Sequence, residues 1–90
     1  MTDNIRLPDE LGLQLRARRE ALGLSKSALA EKAGKVREVI YRLEAGEDTT
    51  VSSLLAVMGA LGLVMRMERA GLPTASEVAA RFMDEDDDAA

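Results

Sequence analysis

The chain has 90 residues, a net charge of −4, and neither cysteine nor histidine. This length corresponds to one small domain, whose limited hydrophobic core would benefit from oligomerisation. Without cysteine the chain has no disulfides or thiolate metal ligands, and without histidine it lacks the usual zinc ligand and general base. We therefore expect no metal, no cofactor and no enzymatic activity, because no nucleophile–base pair can be assembled.

The start of the chain and its longest apolar run indicate where the protein resides. The opening residues, MTDNIRLPDE, contain no apolar signal region. The longest apolar run, residues 54–65, is interrupted by Gly59 and Gly62 and is too short to span a bilayer. These features predict a soluble cytoplasmic protein with no membrane partner.

Charge is unevenly distributed along the chain, which contains a basic segment despite its negative net charge. Residues 84–88 carry five negative charges, so the rest of the chain has a net charge of +1. Within residues 16–42, eight basic residues stand against three acidic ones, which leaves +5. A concentration of positive charge of this kind is expected to face phosphates.

The chain begins with a polar arm and a first helix. In residues 1–8, Arg6 can reach a DNA groove or a phosphate; the alternative is a frayed terminus. Pro8 suits a helix start, and helix 1 is predicted from Asp9 to Leu22, with Gly23 as its left-handed stop. The side chains expected to point inward are Leu11, Leu15 and Leu22.

Residues 25–46 contain two short helical patterns separated by Gly34. Ser25 can cap the first, predicted from Lys26 to Ala33, and the second is predicted from Val36 to Ala45. Helical spacing places four apolar side chains of the second pattern on one buried stripe: Val36, Val39, Ile40 and Leu43. The opposite face is polar: Lys35, Arg37, Glu38, Tyr41 and Arg42. Two short helices separated by a glycine turn, the second with a polar outer face, are typical of a DNA-reading helix-turn-helix.

These residues resemble the Cro/CI-type, or XRE-type, helix-turn-helix family over residues 9–62. The matching positions are Leu11-Gly12, Leu15-Arg16, Arg19, Leu22-Gly23-Leu24-Ser25, Leu29-Ala30, Ala33-Gly34, Ile40, Arg42-Leu43-Glu44-Ala45-Gly46, Leu54-Leu55 and Ala60-Leu61-Gly62. The resemblance implies a mostly α fold, a compact four-helix lambda-repressor-like domain that binds DNA. The continuation GLVMRMER resembles the HipB-type antitoxins, in which a strand replaces the last helix.

The resemblance also implies roles for individual side chains. Lys26 matches a phosphate contact, Arg37 and Glu38 match base readers, and Arg42 faces the groove or its wall. Arginine suits guanine O6 and N7, and glutamate can accept from cytosine N4. Tyr41 can donate its hydroxyl to a phosphate. The full predicted DNA-binding set is Arg16, Lys26, Lys35, Arg37, Glu38, Tyr41 and Arg42.

Two pairs of opposite charges have structural interpretations. Arg19 and Glu44 match positions that often pair within the family, so we predict an ion pair joining helix 1 to the end of helix 3. Glu38 and Arg42 are four residues apart and can form a surface salt bridge instead of contacting DNA.

The register of helix 3 is open at the sequence level. The family usually has an apolar residue where Lys35 stands and a small capping residue where Val36 stands. If Val36 fills the apolar position, helix 3 rotates by about 100° and different side chains reach the bases.

The chain after residue 46 is predicted as a fourth helix and a strand. Thr50 caps helix 4 and Gly62 ends it; the inward side chains are Leu54, Leu55, Met58 and Leu61. Residues 63–69 alternate as a half-buried strand does. A lone strand leaves its backbone unpaired, so we expect antiparallel pairing with a second subunit across a two-fold axis. The dimerisation residues are Leu63, Val64, Met65 and Met67; the alternative is a fifth helix using Leu63, Met67 and Leu72.

Residues 70–90 are predicted as a short helix followed by an acidic tail. Thr74 and Glu77 form a capping box before an apolar stripe, so a helix of about ten residues must dock on another surface. The stripe consists of Val78, Ala79, Phe82 and Met83. Residues 84–88 form a solvated tail or, alternatively, an acidic clamp for a basic partner.

Three functions are compatible with these patterns. The first is a dimeric regulator of transcription, a repressor at a near-palindromic operator, with double-stranded DNA as its partner. The second is an antitoxin that also binds a cognate toxin protein. The third is a protein–protein interaction module without DNA, which the basic segment argues against.

Overall fold

The computed structural model describes residues 4–70. Four α-helices follow one another: α1 (Pro8–Ala21), α2 (Lys26–Ala33), α3 (Arg37–Glu44) and α4 (Val51–Ala60). Helix α1 packs on α3, and α2 packs on both α3 and α4. The prediction of a compact, mostly α, four-helix domain is confirmed, with helix ends within one residue of those expected. Between residues 4 and 70, no helix has the length and apolar character needed to cross a membrane.

The helix termini follow the local sequence signals. The hydroxyl of Ser25 accepts a hydrogen bond from the Ala28 amide at 3.0 Å, and that of Thr50 accepts one from the Ser53 amide at 3.1 Å. Both predicted caps are therefore confirmed. Helix α2 ends at Gly34, whose φ of +69° is a left-handed conformation that side chains disfavour. The glycine allows the chain to turn at once into α3.

The core lies where the four helices meet. Its buried apolar side chains are Leu15, Leu29, Ala30, Ile40, Leu43, Val57, Met58 and Leu61. Two leucines predicted to point inward do not: Leu22 is 43% exposed and Leu55 is 48% exposed. Leu22 lies beyond the last turn of α1, as its C-cap residue. Leu55 lies about 100° around α4 from Leu54, which packs against the core.

Helices α1 and α3 meet at a seam that we define by Gly12, Arg19 and Glu44. A Cβ atom on Gly12 would lie 2.5 Å from the Glu44 carbonyl oxygen and 2.7 Å from that of Leu43. These distances are shorter than real contacts allow, so glycine permits the close approach of α1 to the end of α3. The orientation of α3, the predicted recognition helix, depends on this approach.

The charged groups of the seam are fully paired. Arg19 donates to both carboxylate oxygens of Glu44, at 2.7 and 3.0 Å, and to the Leu24 carbonyl at 2.9 Å. The two side chains are only 10% and 6% exposed. The hydrogen bonds to Glu44 raise the pKa of the Arg19 guanidinium above its ordinary value, although burial opposes the shift. The predicted partners thus join α1, the α1–α2 turn and α3.

The segment after α4 is neither helix nor strand in the single chain. The alternative of a fifth helix from Leu63 is wrong for the described part, residues 63–70. Pairing across a two-fold axis needs a second copy, so the dimerisation strand of residues 63–69 stays a prediction. Val64 and Met67 are 83% and 87% exposed, so neighbours in the chain leave them largely uncovered. The predicted C-terminal helix and acidic tail lie outside the described residues.

Candidate nucleic-acid interface

The start of α3 settles the register of the recognition helix. Val36 is the N-cap residue of α3, with extended φ and ψ of −75° and 153°, and its side chain is 68% exposed. The expectation that Val36 lies on the buried stripe is therefore wrong, and the rotated register does not occur. Valine has no acceptor atom, so no side-chain hydrogen bond caps this helix. Ile40 and Leu43 hold α3 in the core, and its polar face points outward.

Three side chains of the predicted DNA-binding set meet at the exposed ends of α2 and α3. The ammonium nitrogen of Lys26 lies 4.1 Å from the centroid of the Tyr41 ring, and the Cζ atom of Arg37 lies 5.7 Å from it. Both distances are within the range of cation–π attraction. We call Lys26, Arg37 and Tyr41 the tyrosine cluster. Its two cations are the first residues of α2 and α3, respectively.

The tyrosine cluster lies where positive charge already accumulates. The N-terminus of an α-helix carries a partial positive charge, so a cation in its first turn lowers helix stability slightly. No acidic residue lies in the first turn of α2, whereas the first turn of α3 contains Glu38, which makes no salt bridge with Arg37. Among residues 4–70, no carboxylate pairs with Lys26, Lys35 or Arg37. Two helix N-termini with unneutralised cations beside them can accept an anion such as a phosphate.

Arg42, a further member of the predicted set, is engaged within the chain. Its Nε donates to the Asp48 carbonyl at 3.0 Å, and its Nη1 lies 3.2 Å from Oε1 of Glu47. The alternative salt bridge with Glu38 is not formed, and Glu38 is exposed. Arg42 thus holds the loop after α3 against that helix, and the Glu47 carboxylate offsets its charge.

Two arginines of α1 lie outside the tyrosine cluster. Arg16, a member of the predicted set, is exposed and pairs with Glu20 at 3.2 Å. The sequence patterns indicate no role for Arg18, but its Nε donates to the Leu61 carbonyl at 2.9 Å and so holds the end of α4. Arg18 and Leu61 are 43 positions apart, and no local signal in the sequence indicates that they are in contact.

Four helices, a glycine turn between the second and third, and an outward polar face on the third define a helix-turn-helix domain. A family model described as helix-turn-helix matches residues 15–64 of the chain. The chain therefore belongs to the helix-turn-helix family. No curated protein shows significant similarity to it.

Several solved structures with the same fold are described as HipB complexes. The chain superposes on a structure described as the HipA-HipB-O2-O3 complex with a TM-score of 0.72 and 24% sequence identity, covering 78% of this chain and 100% of that one. A structure described as the HipB-O4 20mer complex gives a TM-score of 0.72 and 25% identity, with the same coverage of 78% and 100%. The resemblance to HipB-type proteins is thus found in the fold as well.

Proposed function

We propose that the chain is a sequence-specific, double-stranded DNA-binding regulator of transcription, cytoplasmic and without enzymatic activity. The tyrosine cluster carries this proposal, because it joins two unneutralised cations at the two helix N-termini of a helix-turn-helix. The solved structures with this fold include HipB in complex with a 20mer, which supports DNA as the ligand of this fold.

Each residue of the predicted set has a role in this proposal. Lys26, at the start of α2, contacts a phosphate, and Arg37, at the start of α3, reads a guanine through O6 and N7. Glu38 accepts from a cytosine N4 on the same exposed turn. The remaining members contact phosphates or the groove wall: Arg16, Lys35, Tyr41 and Arg42. Arg42 can contact DNA either while it stays bound to Glu47 and Asp48 or by exchanging these interactions for interactions with DNA.

The regulator acts as a homodimer in this proposal. Residues 63–69 support it, because antiparallel pairing with a second copy would satisfy their backbone groups and bring the exposed side chains of Met65 and Met67, which share one strand face, beside those of the partner. Two recognition helices would then enter major grooves about 34 Å apart, on a near-palindromic operator. Sedimentation equilibrium tests the dimer. Met65→Pro should produce monomer since proline removes a strand donor, whereas Ala70→Pro, just beyond the segment, should not.

DNA binding is tested by fluorescence anisotropy across a salt series. The probes are the duplex upstream of the protein's own gene and a scrambled duplex of equal length. We expect clear preference for the upstream duplex, and about a 5- to 150-fold loss of affinity for Arg37→Ala. Lys26→Ala should weaken binding to both duplexes and reduce the salt dependence by about one counterion.

Lys32→Ala is the matched control. It removes the same charge from the last turn of α2, away from the tyrosine cluster, and should leave the preference intact. Equal, weak and salt-insensitive binding to both duplexes would contradict the regulator and favour a protein-interaction module. Unchanged affinity in both Arg37→Ala and Arg42→Ala would do the same.

A second function, that of an antitoxin, is favoured by one observation. The chain shares its fold with the HipB chain of a HipA-HipB complex, and it continues for 20 residues beyond the described domain. We propose that it also binds a cognate toxin. Coexpression with the product of the adjacent gene should yield a stable complex. Binding that survives deletion of residues 72–90 would contradict capture by the C-terminal segment.

A further inference from the structure

We infer that the aromatic ring of Tyr41, rather than its hydroxyl group, positions Lys26 and Arg37 for DNA. This inference rests on the proposed function and makes Tyr41 a positioning residue that couples the phosphate contact of α2 to the base contact of α3. It differs from a direct role for Tyr41, in which the hydroxyl donates to a phosphate.

The geometry brings two separate parts of the chain onto one ring. Lys26 begins α2, Arg37 begins α3, and Tyr41 lies one turn further along α3. The ammonium group of Lys26 is 4.1 Å from the ring centroid, and the guanidinium of Arg37 is 5.7 Å from it. The ring therefore contacts both cations, although they belong to different helices.

The ring offsets a local electrostatic problem. Two positive side chains near each other repel, and both lie at helix N-termini, where positive charge is disfavoured. The negative face of an aromatic ring attracts a cation and so opposes this repulsion. Within residues 4–70, no carboxylate takes over that role for either side chain.

Holding the cations in place favours binding. Lysine and arginine side chains lose much rotamer freedom when they are fixed against a ligand, and a side chain that is already restricted loses less. Tyr41 itself is held by the α3 backbone and is 47% exposed. The hydroxyl of Tyr41 makes no hydrogen bond inside the described part of the chain. Within residues 4–70, Tyr41 therefore contacts Lys26 and Arg37 through its ring.

The two roles of Tyr41 predict opposite results for one substitution. Tyr41→Phe keeps the ring and removes the hydroxyl, so it keeps the positioning and loses any phosphate bond. Tyr41→Leu keeps an apolar side chain and removes the ring, so it loses both. Because Tyr41 is half exposed and outside the core, neither change should prevent folding, and thermal unfolding of both variants verifies this.

The first measurement uses the free protein. The ring current of Tyr41 should shift the NMR signals of the Lys26 side-chain methylenes upfield in the wild type and in Tyr41→Phe, and the shift should vanish in Tyr41→Leu. This pattern would establish the contact between the ring and Lys26, and the binding measurement below shows whether that contact serves DNA binding. Random-coil Lys26 shifts in the wild type would overturn the inference.

The second measurement uses a duplex selected from a random pool by the wild-type protein. We expect Tyr41→Phe to bind within about twofold of the wild type and Tyr41→Leu to bind about tenfold more weakly. The effect of Tyr41→Leu should largely disappear in the Lys26→Ala, Arg37→Ala background, since the ring then has no cations to position.

The outcomes separate this inference from the proposed function. If the wild type selects no duplex, the proposed function fails and the inference fails with it. If a duplex is selected and Tyr41→Phe loses as much affinity as Tyr41→Leu, the hydroxyl is responsible, and the inference alone is overturned. Equal affinity of the wild type and Tyr41→Leu also overturns it alone.

Discussion

The α1–α3 seam and the tyrosine cluster use similar side chains in opposite ways. In the seam, Arg19 is buried and makes three hydrogen bonds, two of them to Glu44. In the tyrosine cluster, Lys26 and Arg37 have no carboxylate partner among residues 4–70, and both lie near the ring of Tyr41.

The difference separates stability from function. A buried charge must be paired, because an unpaired one loses its hydration without compensation, so the stability of the seam depends on the pairing of Arg19 with Glu44. An exposed cation stays hydrated and available, and its attraction to a phosphate is realised when DNA displaces water and ions. The following substitutions test this separation, beginning with the largest expected change in the free energy of unfolding.

Glu44→Gln should destabilise the seam most. It leaves the buried Arg19 guanidinium without its counter-charge, which costs about 3 kcal/mol or more. The pairing raises the pKa of Arg19 in the folded protein. The resulting stabilisation is fully present below the unfolded-state pKa and is lost only as the pH rises through the folded-state value. The cost of Glu44→Gln should thus be constant near neutral pH, measured as a shift of the urea midpoint at constant m-value.

Glu47→Gln is the control for that measurement. It removes the same charge from an exposed pair with Arg42, whose side chains are 42% and 57% exposed. Exposed pairs contribute about 0–1 kcal/mol, so the urea midpoint should barely move. Equal losses in the two variants would contradict the distinction between buried and exposed pairs.

Gly12→Ala tests the close contact in the seam. The new methyl group would collide with two α3 carbonyl oxygens, and overpacking of this kind costs about 1–3 kcal/mol. Gly59→Ala in α4 makes the same change where nothing lies within 4 Å of the added Cβ. It should increase stability by about 0.5–1 kcal/mol through helix propensity. Thermal melts of both variants compare them, and a stabilising Gly12→Ala would mean that α1 lies further from α3.

The two helix caps beside the tyrosine cluster should respond in opposite directions. Ser25→Ala removes a cap that accepts from the Ala28 amide, and should cost about 1 kcal/mol. Val36→Ser introduces an acceptor at an N-cap that has none, and should stabilise by up to about 1 kcal/mol. Chemical denaturation measures both changes. No gain from Val36→Ser would indicate that α3 begins at another residue.

Arg37→Ala and Lys26→Ala should have the smallest effect on folding. Each removes an unfavourable cation from a helix N-terminus together with its attraction to the Tyr41 ring, and because these effects oppose each other the free energy of unfolding should change by less than about 0.5 kcal/mol. The same variants should lose DNA affinity as proposed above. A large loss of stability in either would mean that the tyrosine cluster belongs to the folding framework.

Much of the site was predictable because its signals are local. Ser25, Gly34 and Thr50 determine where helices begin or end through their own side chains or backbone, and these assignments agree with the structure. The resemblance to the helix-turn-helix family implies the roles of Lys26 and Arg37, which occupy matching positions of the sequence. The apolar period predicted Ile40 and Leu43 as buried, although it wrongly added Val36.

The four helices, their caps and stops and most of the core follow from the sequence, because each depends on residues within one or two turns of one another. Three contacts became evident from helix packing alone: Arg18 donates to the Leu61 carbonyl, Gly12 lies close to the backbone of α3, and Lys26 lies over the ring of Tyr41. These contacts join residues 15 to 43 positions apart. They depend on how the helices pack, and periodicity within one helix does not contain that information.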